Sequence, residues 1–365
     1  MEPSVNKFSN KFLCNIFKSS VIIFLFSLFS QQALSTVYTV DNRPDSGAEY
    51  TSVNPAIQAA AAGDTIYIHP SSTSYNNVTV DRRITLLGPG HDPANSEGLR
   101  ATLSTITIGQ NCSYTLISGL AVSSVDGYSD ASNSDSILII NNLITSSVRG
   151  YFNGSGSKYW IIEGNYFTSS AYIINGNGSD YWYVRNNVIY GYVTGFNHTT
   201  LFTNNLFING DSGGGATIFS GSNDVASPIV SNNMFIFTDP DVTNITYSGS
   251  MPITYTKCLT WKSGGGTDLA ALPGSGNLDN LNPDFNNIPT SITDFYNNDY
   301  TLASGSPAIG AATDGGDIGI FGRNFPYDIH GRPHSMPYPI SMTILNTVVQ
   351  PGQDINVQFK ASQNN

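Results

Sequence analysis

One short phrase recurs through the middle of the chain and constrains its fold more than any other feature. An apolar stretch of about four residues runs into two small or amide residues, and an apolar pair follows. It reads Tyr114-Thr-Leu-Ile-Ser-Gly119-Leu-Ala, Ile137-Leu-Ile-Ile-Asn-Asn142-Leu-Ile, Trp160-Ile-Ile-Glu-Gly-Asn165-Tyr-Phe and Trp182-Tyr-Val-Arg-Asn-Asn187-Val-Ile. Two further copies are Thr200-Leu-Phe-Thr-Asn-Asn205-Leu-Phe and Pro228-Ile-Val-Ser-Asn-Asn233-Met-Phe. With the second turn residue as marker, the intervals are 23, 23, 22, 18 and 28 residues. A near-constant period marks a repeat architecture, in which each unit buries its apolar face by stacking on its neighbours. Units of this length are too short for helical-hairpin repeats, which need roughly 33 residues or more. They lack the leucine spacing of leucine-rich repeats. Ile, Val, Tyr, Phe and Thr suit a pleated surface, while Gly, Asn and Ser fill the turns. Every unit has the same polarity, so successive units pair as parallel strands about 4.8 Å apart. The expected fold is all-β, a single-stranded parallel β-helix.

The paired amides have a structural task in such a coil. Asn tolerates positive φ, and its side chain can bond the local backbone and the equivalent Asn one rung away. That role is assigned to Asn141, Asn142, Asn165, Asn186, Asn187, Asn204, Asn205, Asn232 and Asn233.

Residues 1–35 read as an export signal: Lys7, Lys11 and Lys18 precede the apolar run Val21–Ser30, and Ala33-Leu34-Ser35 supplies small residues for cleavage. The apolar run is short against the roughly 20 residues of a membrane span, so no stable span is expected after cleavage. Residues 36–335 then form one β-helix domain, and residues 336–365 a strand-forming tail around Pro351-Gly352. Near the start, Asn54 is expected to cap a short helix with Pro55 at its first position, Ala56–Ala62 carrying it and Gly63 ending it. That helix would close the open end of the solenoid. Cys112 and Cys258 fall five or six rungs apart, too far for a disulfide. The formal net charge is −11 and Lys and Arg nowhere cluster with aromatics, which argues against a nucleic-acid partner. The chain is read as a monomer.

The run Asn54-Pro-Ala-Ile-Gln-Ala-Ala-Ala-Ala-Gly-Asp-Thr-Ile-Tyr-Ile68, with Val78-Thr-Val80 and Ile84-Thr-Leu-Leu-Gly88, resembles the N-terminal part of secreted right-handed β-helix proteins of the pectin-lyase-like superfamily. The far end is similar too, at Asn282-Pro-Asp-Phe285, Asp299-Tyr-Thr-Leu-Ala-Ser-Gly-Ser-Pro-Ala-Ile-Gly310 and Asp317-Ile-Gly-Ile-Phe-Gly322. The resemblance covers about residues 36–335. It implies the fold and an extracellular setting but not an activity, since the superfamily holds lyases, hydrolases, adhesins and proteins without known activity.

Strand alternation nominates the outward side chains. With Leu116, Ile139, Ile162, Val184, Phe202 and Val230 inward, three outward columns follow. They are Ser113, Ser136, Tyr159, Tyr181, Thr199, Ser227; Thr115, Leu138, Ile161, Tyr183, Leu201, Ile229; and Ile117, Ile140, Glu163, Arg185, Thr203, Ser231. The middle rungs thus present Tyr159, Tyr181 and Tyr183 beside Glu163 and Arg185. Aromatic faces with a few polar groups suit a glycan, so these five are the candidate polysaccharide-binding residues. The competing reading is a stacked ladder with one inter-rung ion pair. No catalytic residue is nominated. A lyase needs Ca²⁺ or Arg opposite a uronate and a base near its C5 proton. Asp126, Asp130 and Asp135 beside Gly127 allow at most weak Ca²⁺ binding, and no metal ligand set is assigned. A hydrolase needs two stacked carboxylates, and no column holds two. Asp314 and Asp317 read as turn caps, and His198, His330 and His334 form no recognisable catalytic arrangement.

Overall fold

The computed structural model describes residues 35–127, 134–150, 157–168, 172–174, 179–209, 216–220, 226–248, 253–288, 291–334, 336–346, 349–350 and 352–363. The expected export signal lies outside them. Strands taken one from each successive coil line up in an 11-stranded sheet that begins Val37–Val40, Thr65–Ile68, Thr85–Leu87 and ends at Gly274–Ser275. Every pairing along it is parallel. A second sheet of 13 strands bends into two arms: Ala121–Gly127 and Leu143–Arg149 run through both, with a register shift between Val122 and Ser124. In later coils the arms are separate strands, as in Tyr166–Phe167 and Tyr172–Ile174. The coil therefore has three faces, and the chain is a parallel β-helix.

Alternation in the 11-stranded sheet sends Ile66, Leu86, Ile117, Ile139, Ile162, Val184, Phe202 and Val230 inward, one above another and all buried. Each such side chain contributes about 1.5–3 kcal/mol on leaving water. Here the sequence expectation needs correcting by one residue in its first rung. Leu116 pairs with Leu138 and faces outward, Ile117 is in the core, and Thr115 is buried behind it. The cause lies at the corner. Gly119, with φ +74°, matches Asn141 with φ +58°, so Leu120, not Gly119, stands level with Asn142.

The two amides of each turn divide the labour. The first, at Asn141, Asn186, Asn204 and Asn232, adopts left-handed backbone with φ between 52° and 58°, where Gly119 and Gly164 stand in other coils. The second points into the coil and forms a ladder. Asn187 Nδ2 donates to Asn205 Oδ1 at 3.0 Å, while Asn187 Oδ1 accepts from Asn165 N and Nδ2 at 2.9 and 3.0 Å. The pattern runs from Asn142 through Asn165, Asn187 and Asn205 to Asn233. Each amide also satisfies buried carbonyls, Asn187 those of Ile162 and Arg185.

The outward amides of the first set hold the C-terminal flank. Asn186 Nδ2 donates to Ile320 O and Gly322 O, Asn204 Nδ2 to Asp317 O, and Asn141 Nδ2 to Arg332 O. Thr313 and Asn232 bond each other twice. With these anchors, Ile292, Phe295, Tyr300, Ile318 and Ile320 bury the outward face of the first arm, where Val188, Leu206, Met234 and Leu259 lie. Phe295 stacks on Tyr166 at 3.8 Å. The far-end motifs quoted above build this flank.

The helix spans Val53–Ala59, starting two residues and ending three residues earlier than expected, and buries Val53, Ala56 and Ile57 against the first strands. Asn54 is not its cap. Its Nδ2 donates to Asn77 O and its Oδ1 accepts from Thr79 N, tying the helix sideways to the next coil. Gly63, with φ +100°, belongs to the turn after it. Tyr338–Ile344 and Val357–Ser362 form a separate antiparallel hairpin.

Candidate functional site

In part of the 11-stranded sheet the residue two positions before the strand sits at a sharp corner in left-handed backbone. Tyr114, Ser136, Tyr159 and Tyr181 fill it in four successive coils, with φ of 67°, 58°, 59° and 58°. The backbone N–H of each points to the following coil, to Asp135 O, Lys158 O, Asp180 O and Thr199 Oγ1 respectively. At the opposite corner the same backbone is carried by Gly and Asn, which take it readily. A tyrosine there costs about 1 kcal/mol. Behind each ring is a rigid mount: Trp160 and Trp182 are fully buried, stacked at 4.9 Å, and donate from Nε1 to Ser134 O and Ser157 O. Tyr159 and Tyr181 consequently stand parallel, 5.2 Å apart, each 45% exposed.

Tyr183 occupies the middle column between Ile161 and Leu201. Glu163 and Arg185 are register partners in the third column, with Arg185 Nε 2.7 Å from Glu163 Oε1 and Nη2 donating to Oε2 at 3.2 Å. All five nominated residues thus share one outward face on adjacent strands. They form two groups on it. The ion pair lies four residues along the strand from the stacked rings, about 13 Å away. Glu163 and Arg185 line a recess of about 200 Å³ with Arg323, Asn324 and Phe325 of the flank. In the first rung the column member is Tyr114, not Ser113.

The same face carries a larger cleft that the sequence did not disclose. It measures about 550 Å³ and is walled by Tyr67, His69, Leu99, Arg332, Met336 and Tyr338, with Arg43 and Glu97 at its polar edge. Tyr67 is in the Glu163 column, four rungs earlier. That places the cleft about 19 Å from the ion pair. The Arg332 guanidinium lies 3.9 Å over the Tyr338 ring and pairs with Asp328, and Arg43 pairs with Asp41. The Arg43 side chain holds the Asp41 carboxyl below the usual carboxylate range. Burial pushes the His69 imidazole down, so it is a neutral donor and acceptor near pH 7.

Also unforeseen is a junction between loop 89–100 and the flank. His91 is fully buried; its Nδ1 lies 3.0 Å from Tyr296 Oη, which in turn donates to His91 O. The ring proton is therefore assigned to Nδ1, and Nε2 meets no protein partner. Burial drives its pKa down to about 3. Next to it, His330 Nδ1 is 2.6 Å from Asp92 Oδ2. These residues are some 200 positions apart in sequence, which is why spacing gave no hint of them. The arrangement latches two segments together.

The acidic loop is otherwise engaged. Asp126 pairs with Arg149, its in-register neighbour, and Asp135 Oδ1 accepts from Lys158 N; Asp130 lies outside the described residues. Asp314 and Asp317 accept from Gly316 N and Gly310 N within their turns. Among the described residues no three His, Cys, Asp or Glu gather as a metal site, and no helix is long and apolar enough to cross a membrane. Cys112 and Cys258 are buried free thiols, pushed up to about 11 and about 12 by burial. No protein-family model matches the chain, and no curated protein matches its sequence.

Proposed function

We propose that this protein is a secreted or cell-surface β-helix of the pectin-lyase-like kind that binds polysaccharide without transforming it, as a monomer. The observation carrying this reading is the pair Tyr159 and Tyr181: strained backbone, a buried tryptophan mount, and rings left open. Strain at an exposed aromatic is retained where the ring has work to do. Tyr166, an outward tyrosine on the neighbouring face, makes the contrast, since Phe295 covers it. Sugar C–H faces pack on open rings, while hydroxyls take directed partners from Tyr183 and the Glu163–Arg185 pair. The cleft at Tyr67 and His69 extends the same track. The net charge of −11 favours neutral over polyanionic chains. A glycan array, with and without Ca²⁺, tests the reading. Binding that is lost in Tyr159→Ala, Tyr181→Ala and Tyr183→Ala supports it; affinity unchanged in all three removes the platform.

A lyase is the second reading, favoured by the recess where Glu163, Arg185 and Arg323 meet. Release of unsaturated uronate from polygalacturonate, lost in Arg185→Ala, would establish it. The close ion pair argues against it, because Glu163 already neutralises the guanidinium that would have to face a uronate carboxylate.

A further inference from the structure

We infer that the second arm of the 13-stranded sheet carries a second carbohydrate-binding face, so that one molecule bridges two polysaccharide chains. The inference rests on the glycan-binding reading above and adds cross-linking to it. Tyr172 and Tyr192 are register partners on adjacent strands, their rings 5.5 Å apart and 16° from parallel. Tyr192 is 44% exposed, nearly the value of Tyr159 and Tyr181. An arginine–carboxylate pair flanks these rings as well. Asp126 and Arg149 face each other in register, and Arg149 sits one strand before Tyr172 and two residues further along. Both tyrosine pairs are built on the same two coils, and each shares its face with an arginine–carboxylate pair.

The two platforms do not share a surface. Tyr172 follows Tyr159 by 13 residues in a coil of 22, and it belongs to a different sheet. A single extended glycan lying on one pair cannot reach the other without turning around the coil. The third face shows what happens to outward apolar side chains that serve the fold: the flank covers Tyr166, Val188, Leu206 and Met234. Among the described residues the flank covers the first arm, while Tyr159, Tyr181 and Tyr192 stay 44–45% exposed. Two sites on different sheets of one coil bind soluble oligosaccharides independently and gain avidity on polymers.

The test uses the full mature chain with xyloglucan, mixed-linkage β-glucan and polygalacturonate, each as a short oligosaccharide and as the polymer. Calorimetry reads stoichiometry on the oligosaccharide, and turbidity with co-sedimentation reads cross-linking on the polymer. The expected result is two oligosaccharides per protein and a sedimenting network with the polymer. Tyr172→Ser/Tyr192→Ser should reduce the stoichiometry to one and abolish the network while keeping binding at Tyr159 and Tyr181. Tyr159→Ser/Tyr181→Ser should do the converse. Circular dichroism checks folding, and Tyr192→Ser alone, at the more exposed ring, replaces the double variant if that does not fold. One site per protein, unaffected by loss of Tyr172 and Tyr192, overturns the second face and leaves the glycan reading standing. No binding to any of the three probes overturns both.

Discussion

Replacing Asn187 by Ala should cost far more than an ordinary Asn-to-Ala change, because this amide closes five hydrogen bonds inside the coil. Its Nδ2 donates to Ile162 O at 2.8 Å, Arg185 O at 2.9 Å and Asn205 Oδ1 at 3.0 Å. Its Oδ1 accepts from Asn165 N and Nδ2. Alanine keeps the Asn187 backbone N–H bond to Asn205 Oδ1, so the next rung retains one contact. It leaves the buried Asn165 N–H without an acceptor, worth about 1–3 kcal/mol, and strips bonds from two carbonyls at about 0.5–1.5 kcal/mol each. The sum is about 2–6 kcal/mol, a large part of the 5–15 kcal/mol typical of a whole domain. Urea unfolding followed by far-ultraviolet circular dichroism gives the loss. Native-state hydrogen exchange locates it, since the Asn165 amide should lose protection before amides of distant coils. A loss below about 1 kcal/mol, or an Asn165 amide still protected as in the parent, refutes the ladder as a source of stability.

Three further outcomes follow from the same geometry. The unfolded chain protonates His91 near its usual 6.5 and the folded chain only near 3, so the unfolded state holds more protons between those values. Stability should fall by about 2 kcal/mol from pH 7 to pH 5 through this group, with His91→Gln showing a flatter profile in urea titrations at each pH; identical slopes contradict it. In Gly322→Ala the new Cβ would fall 1.8 Å from Asn204 Nδ2 and 2.5 Å from Asp317 O. The flank should loosen there, seen as faster proteolysis after residue 310 with the solenoid intact, and an unchanged cleavage pattern counts against the anchoring role. Tyr114→Asn should stabilise by about 0.5–1 kcal/mol, because it relieves left-handed backbone at an exposed ring that stacks on no other ring among the described residues. A lower melting temperature would show that the ring is held by something other than solvent.

The solenoid was legible because its signal recurs through the central coils: apolar alternation and a turn amide repeated at a near-fixed spacing. The slip in the first rung has a local reason. Gly119 supplies the left-handed corner and Leu120 stands at the ladder position, so the two-amide marker is absent where the ladder begins. The Asn54 cap failed for a comparable reason, since its amide is taken by Asn77 and Thr79 of the next coil. The tyrosine face was legible from strand alternation. The left-handed backbone beneath it was not, since Tyr159 and Tyr181 are residues that argue against positive φ. The flank, the cleft and the His91 junction join residues up to about 300 positions apart and have no period, so only packing discloses them.

The most direct measurement is a calorimetric titration of the mature chain with the oligosaccharide that scores highest on the array, repeated with Tyr159→Ala/Tyr181→Ala. Losing both rings should remove about 1–3 kcal/mol, at least a fivefold fall in affinity, with melting temperature lowered by only a few degrees, since the exposed pair loses stacking worth about 0.5–1.5 kcal/mol. Equal affinity in parent and variant, both folded, would mean that these open tyrosines serve the coil alone.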